Sequence, residues 1–296
     1  MIWEKRSFQF GILMLLAFVW GSSFILMKIG LMSFSPEQAG ALRILLASLA
    51  LLPMSLRNLK KLRRKDLPSL LVAGFIGSFF PAFLFMKAET QINSSLAGML
   101  NSLTPVFTLI VGLLFHKTAF RWSQALGLLL GLTGATGLIL AGEGFHFGTI
   151  NSYAFYIVLA TILYATSINQ IKSKLTHLNG IQITSLSFLF IGPVALAYLL
   201  TSSFEPVFAS EDWPVHLLAL ATLAIVGTAT AMLLMNTLIR YASAVAASSV
   251  TYIIPIFAIV WGVIDGEKVI LFHLLCMCII LAGVYLISRK GVKKTA

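Results

Sequence analysis

The sequence predicts an all-α integral membrane protein of ten transmembrane helices in two inverted five-helix repeats. Three observations lead there. The chain of 296 residues is 58% hydrophobic and only 10% charged, against roughly 45–50% apolar and about 25% charged in a soluble domain. Long apolar runs follow one another with short connections, and the chain matches itself at a fixed offset. A bilayer accepts an apolar exterior and makes internal charge costly, so this composition excludes an ordinary soluble fold.

Roughly 20 apolar residues cross the hydrocarbon core as a helix. Reading for such runs between charged or Pro/Gly-marked breaks gives ten, at about 8–30, 36–56, 67–88, 93–115, 121–141, 148–171, 180–201, 213–238, 243–264 and 269–288. The first run follows Glu4-Lys5-Arg6 like a signal peptide, but it is too long for a signal core and no small-residue cleavage site ends it. It therefore counts as a span. Cys276 and Cys278 sit two apart in the last run, where neither a disulfide nor a metal site fits, so they are expected to pack.

With a cytoplasmic N-terminus, the inner segments collect 17 of the 21 Lys and Arg residues, including the Arg57–Lys65 cluster and the Lys290–Lys294 tail. The outer segments keep only Lys28, Lys87 and Lys268. That bias places both termini in the cytoplasm of a multi-pass protein, with a bacterial inner membrane as the expected location. It also accounts for the net charge of +11 without nucleic acid, for which no basic face exists.

At an offset of 150, Gly77 falls on Gly227, Ala97 on Ala247, Pro105 on Pro255 and Gly112 on Gly262. At 144, Ser23 falls on Ser167, Lys28 on Lys172 and Gln38 on Gln182. The chain thus divides at residues 1–142 and 143–296, with five spans in each part. Five is odd, so the second repeat enters the membrane from the opposite side. Such inverted repeats suit alternating access around a midplane site.

Trp20-Gly21-Ser22-Ser23-Phe24, Lys28, Pro36, Arg43, the segment from Asn101 to Phe107, the segment from Thr251 to Phe257, and Gly266-Glu267 follow in a characteristic order. In these features the chain resembles the EamA-type transporters of the drug/metabolite transporter superfamily, nearly end to end. The resemblance implies ten helices, two EamA repeats, and export or exchange of amino acids or related metabolites. One departure is that Lys117 stands where offset 150 from Glu267 would place the glutamate common in the first repeat.

Polar groups at membrane depth nominate the site. Asn101 and Thr251 are equivalent under the repeat, and each lies four residues before a proline that frees its own carbonyl for a ligand or for local structure. Tyr252 adjoins Thr251, while Trp20 and Tyr164 are equivalent aromatic donors in the first and sixth spans, with Ser23 one turn from Trp20. Phe79 and Phe83 in the third span, and Met232 and Asn236 in the eighth, complete a candidate lining suited to an apolar body with one hydrogen-bonding end.

The expected cargo is neutral or zwitterionic, with hydrophobic amino acids first. Arg43 is expected to be a structural charge paired with Glu37 or Glu89, or snorkelling outward; capture of a substrate carboxylate is the functional alternative. All ten acidic residues fall in loops or near span ends, so coupling by a midplane carboxylate is not expected. Gly127, Gly131, Gly134 and Gly137 form a ridge for close helix approach, within the chain or in a homodimer. No cofactor, metal or nucleic acid is expected; small solute and lipid are the partners. An intramembrane enzyme acting on lipid or peptide would need nucleophile, HExxH or paired-aspartate motifs, and none occurs. A channel-like facilitator is the remaining alternative.

Overall fold

The computed structural model describes residues 6–115, 122–141, 151–241 and 250–288. They form helices α1 (Arg6–Gly30), α2 (Pro36–Asn58), α5 (Trp122–Ala141), α6 (Ala154–Lys174), α7 (Gly180–Thr201), α9 (Val250–Ile264) and α10 (Leu271–Ser288). Helix α3 is wound from Leu67–Leu71, a π stretch Val72–Phe79, and Phe80–Ala88; α8 repeats that plan as Trp213–Thr222, π stretch Leu223–Thr230, and Ala231–Tyr241. Helix α4 is broken into Ser94–Asn101 and Thr104–Phe115. Among the described residues there is no strand. Among the described residues eight helices, α1 to α8, are long and apolar enough to cross a bilayer, and two shorter apolar helices, Ile253–Ile264 and Leu271–Ile287, follow. The ten expected spans thus appear as eight of crossing length and two shorter ones.

Local sequence sets the helix starts. Ser35 and Gln38 form a reciprocal capping box at α2, with Gln38 N donating to Ser35 Oγ and Ser35 N to Gln38 Oε1, both at 3.1 Å. Asn179 and Gln182 build the same box at α7, at 2.9 Å each way. These boxes lie 144 residues apart, so the repeat recurs in how the chain satisfies its first free amides.

The equivalent helices α2 and α7 pack antiparallel. Gln38 Nε2 donates to Ser203 O (2.8 Å), Ser48 Oγ to Phe188 O (3.1 Å), and Ser55 Oγ to Ser185 O (2.7 Å), so partners descend on one helix as they climb on the other. A Cβ on Gly192 would lie 2.6 Å from Ser48 Cβ, its own repeat equivalent, which puts the pseudo-twofold axis at that crossing. Helices α5 and α10 do likewise: a Cβ on Gly127 would meet Gly283 O at 2.6 Å, and one on Gly134 would meet Cys276 O at 2.7 Å. The glycine ridge therefore serves contact within the chain, and Cys276 is one of the residues it packs against. Leu49, Leu129, Val194, Leu200, Leu218 and Leu271 point outward and exposed, as a lipid-facing surface requires.

Candidate functional site: a cavity on the repeat axis

A cavity of about 290 Å³ lies among α1, α2, α3, α4, α6, α7, α8 and α9. Its lining is paired by the repeat: Trp20 with Tyr164, Ser23 with Ser167, Arg43 with Ser187, Gly77 with Gly227, Ser78 with Thr228, and Phe85 with Met235. Both members of each pair face it. The cavity consequently straddles the axis that relates the two repeats. A further recess of about 360 Å³ opens at the surface beside the α2 N-terminus, lined by residues such as Ser33, Ser35, Tyr198 and Ser202.

The two π stretches shape the wall. Closing backbone bonds five residues on instead of four turns the helix face and leaves room for close approach. At Gly77 an added Cβ would collide with Ser167 Oγ; at Gly227 it would come within 3.0 Å of Ser23 Oγ. Trp20 Nε1 donates to Gly227 O at 3.1 Å, fixing the indole across the same approach.

Of the residues nominated from sequence, Trp20, Ser23, Asn101, Tyr164 and Met232 line the cavity. Phe79 and Phe83 do not. Their rings meet at a tilt with centroids 4.8 Å apart, and Phe83 meets Tyr198 edge-on and lies against Gly40, both packed on the apolar cluster of α2, α3, α7 and α8. The π stretch has rotated α3, so that Ala73, Gly77, Ser78 and Phe85 face inward instead. The side chains of Asn236, Thr251 and Tyr252 lie outside the described residues, as does Lys117.

The carbonyl freed by Pro105 is also taken internally. Helix α4 breaks, and Thr104 Oγ1 donates to Asn101 O at 2.9 Å, so a local donor already occupies one acceptor position of this carbonyl. The Asn101 side chain lines the cavity.

Among the described residues neither expected partner forms an ion pair within 4 Å of Arg43, although the Glu89 charge acts on this guanidinium through space. Arg43 Nε donates to Thr228 Oγ1 at 3.0 Å and Nη1 lies 3.7 Å from Met27 Sδ, while the guanidinium lines the cavity. Glu37 pairs with Lys87 at 3.6 Å instead. Glu89 is buried beside α4, with Ser94 Oγ at 3.5 Å from one carboxylate oxygen and no partner for the other among the described residues.

At the end of the bundle opposite Arg6, an ionic knot ties three helices together. Glu267 accepts from Ser94 N (2.9 Å), Ser95 N (2.9 Å) and Ser95 Oγ (2.6 Å), and Lys28 bridges Glu267 (3.2 Å) and Asp265. The Glu267 side chain is 2% exposed. Within the Gly266-Glu267 motif, Glu267 thus caps α4 from the α9–α10 turn. Ser33 Oγ and His216 Nδ1 meet at the same end, 2.6 Å apart.

Residues 9–140 and 151–289 each match the EamA-like transporter family. The chain belongs to that family. EamA-type relatives include the uncharacterized inner membrane transporter YedA of Escherichia coli, 28% identical over 94% of this chain and 90% of that protein. The uncharacterized transporter YdfC of Bacillus subtilis is 31% identical over 43% of this chain and 41% of that protein. A probable terminal-alkyne amino-acid exporter of Streptantibioticus cattleyicolor is 24% identical over 66% of this chain and 65% of that protein. A crystal structure superposes with a TM-score of 0.64 at 16% identity, covering 95% of this chain and 96% of the other, a likeness of fold. Two EamA repeats, a multi-pass membrane fold and a transporter family are thereby established for the chain.

Proposed function

We propose that this protein exports or exchanges small neutral or zwitterionic metabolites, hydrophobic amino acids first, by alternating access around the central cavity. The observation that carries this reading is the cavity's position on the repeat axis, lined by equivalent residues of both halves. With inverted repeats, exchanging the conformations of the two halves would transfer access from one side of the membrane to the other without moving the site. The ionic knot of Lys28, Asp265 and Glu267 closes the end opposite Arg6, which the positive-inside bias makes the external end, with both termini cytoplasmic. Exchange of the halves requires that knot to open.

A cavity of about 290 Å³ suits a metabolite of amino-acid size, and its Phe, Ile and Met surfaces suit an apolar side chain. The kinship with a named amino-acid exporter points the same way. The test is counterflow in proteoliposomes with labelled leucine, phenylalanine and methionine. A carrier gives saturable uptake accelerated by unlabelled amino acid on the other side. Uptake linear in concentration and indifferent to trans solute would mean a channel, and no uptake of any of the three would overturn the amino-acid reading.

A further inference from the structure

Arg43 is the single ionisable cation in the described cavity lining, and no Asp or Glu accompanies it there. Among the described residues no carboxylate lies within 4 Å of its guanidinium. Of the five N–H donors on a guanidinium, one goes to Thr228 Oγ1 and one toward a thioether, a weak acceptor. An arginine does not escape by deprotonating, and a charge in a low-dielectric site costs several kcal/mol, by order of magnitude, unless direct ion pairs and hydrogen bonds satisfy it; Glu89 acts on Arg43 only through space, beyond ion-pair distance, and leaves most of the guanidinium donors unused. That cost is recovered when an anion binds.

The fold does not by itself ask for this charge. The equivalent position in the second repeat is Ser187, which lines the same cavity, is 3% exposed, and leaves its hydroxyl without a partner among the described residues. One half thus carries a cation at a place where the other half makes do with a serine. Arg43 lies seven residues into α2, Asn101 seven into α4 and Tyr164 ten into α6, at comparable depth on the knotted side of the cavity. Asn101 and Tyr164 line the same cavity, and the amide of the one and the hydroxyl of the other can both donate to an oxyanion. Beyond them lie apolar walls such as Ile44, Phe188, Met235 and Ile254.

We propose that Arg43 is the binding site for the cargo's carboxylate, and that the cargo class is an apolar-bodied carboxylate whose amino group, where present, makes no ionic contact. This deepens the transport reading and rests on it for the cavity's role. A charge-assisted fork to a carboxylate discriminates against a neutral carboxamide by about 10- to 100-fold.

The experiment measures binding to the purified full chain in detergent by calorimetry, using leucine, phenylalanine, their deaminated acids 4-methylpentanoate and 3-phenylpropanoate, and the primary amides of all four. Wild type is expected to bind the acids about 10- to 100-fold more tightly than the matching amides. Arg43→Gln should collapse that ratio toward one, and Arg43→Lys should restore part of it. A purely structural arginine would lower yield or thermal midpoint but leave the acid-to-amide ratio of the surviving protein unchanged. Amides bound as tightly as acids by wild type, or an unchanged ratio in both variants, would overturn the assignment while leaving transport standing. Binding of the deaminated acids but not the amino acids would sink the amino-acid reading and support the carboxylate site. Binding of nothing in the panel would remove both.

Discussion

Replacing Glu267 by alanine is expected to unlock the end of the bundle opposite Arg6. One carboxylate there receives two backbone amides at the start of α4, the Ser95 hydroxyl and the Lys28 ammonium, and its side chain is 2% exposed. Loss of a helix cap costs about 0.5–2 kcal/mol, and a hydrogen bond to a charged group contributes about 1.5–3 kcal/mol. These contributions share one carboxylate and do not add, so about 3 kcal/mol is a reasonable size for the whole, or roughly a 100-fold shift toward the opened end. Lys28 and Asp265 are each 33% exposed, and a pair of that kind contributes only about 0–1 kcal/mol. Asp265→Asn should therefore shift the equilibrium by no more than about 5-fold. The assay places a cysteine at Ser23, in the cavity wall, in a chain with Cys276 and Cys278 replaced by alanine. An impermeant maleimide is then applied from the side opposite the termini. Labelling should accelerate about 100-fold in Glu267→Ala and barely in Asp265→Asn. Equal rates in the two variants, or no change in either, would show that the buried cap does not hold the closure.

Other outcomes follow from the same geometry. Gly134→Ala drives a Cβ to 2.7 Å from the Cys276 carbonyl, a backbone atom, whereas the close contact at Gly137→Ala is with a side-chain atom, the Cys276 sulfur. The first should cost about 1–3 kcal/mol and the second clearly less, read as thermal midpoints in detergent. Trp20→Phe removes the 3.1 Å bond to Gly227 O and should cost about 1 kcal/mol in the same measurement. Glu89, just past the third span, is held well above the usual carboxylate range by burial first and by the nearby Glu267 charge second. Its folded-state proton affinity is raised, so its contribution to stability is full at pH below the unfolded value and is lost as pH rises through the folded one. Glu89→Gln should therefore match wild type in acid and exceed it in alkali; a midpoint difference that stays constant with pH would contradict this.

Much of the architecture was legible because its causes are local or periodic. Apolar runs of about 20 residues mark helices wherever they occur. The offsets of 144 and 150 survived in Gln38 and Gln182, which cap, and in Gly77 and Gly227, which admit a neighbouring helix. Trp20, Ser23, Asn101, Tyr164 and Met232 were reachable as polar, aromatic or sulfur side chains at membrane depth. Phe79 and Phe83 lie off the cavity because composition alone does not say which face of a span turns inward, and the π stretch Val72–Phe79 changes which side chains share a face. The partners of Arg43 and Glu267 were unreadable for a different reason: Thr228 is 185 residues from Arg43, and Ser95 is 172 from Glu267.

By itself the sequence determined that this chain is a helical membrane protein made of two repeats that run in opposite senses, since composition, run length and an odd number of spans per repeat depend on nothing distant. Only the tertiary structure decided that the repeats meet across a shared cavity, that no carboxylate joins Arg43 in its described lining, and that Glu267 ties the start of α4 to the α9–α10 turn. Those facts are set by how helices cross and turn against one another, and hydrogen bonds between residues far apart in the chain leave no local trace in it.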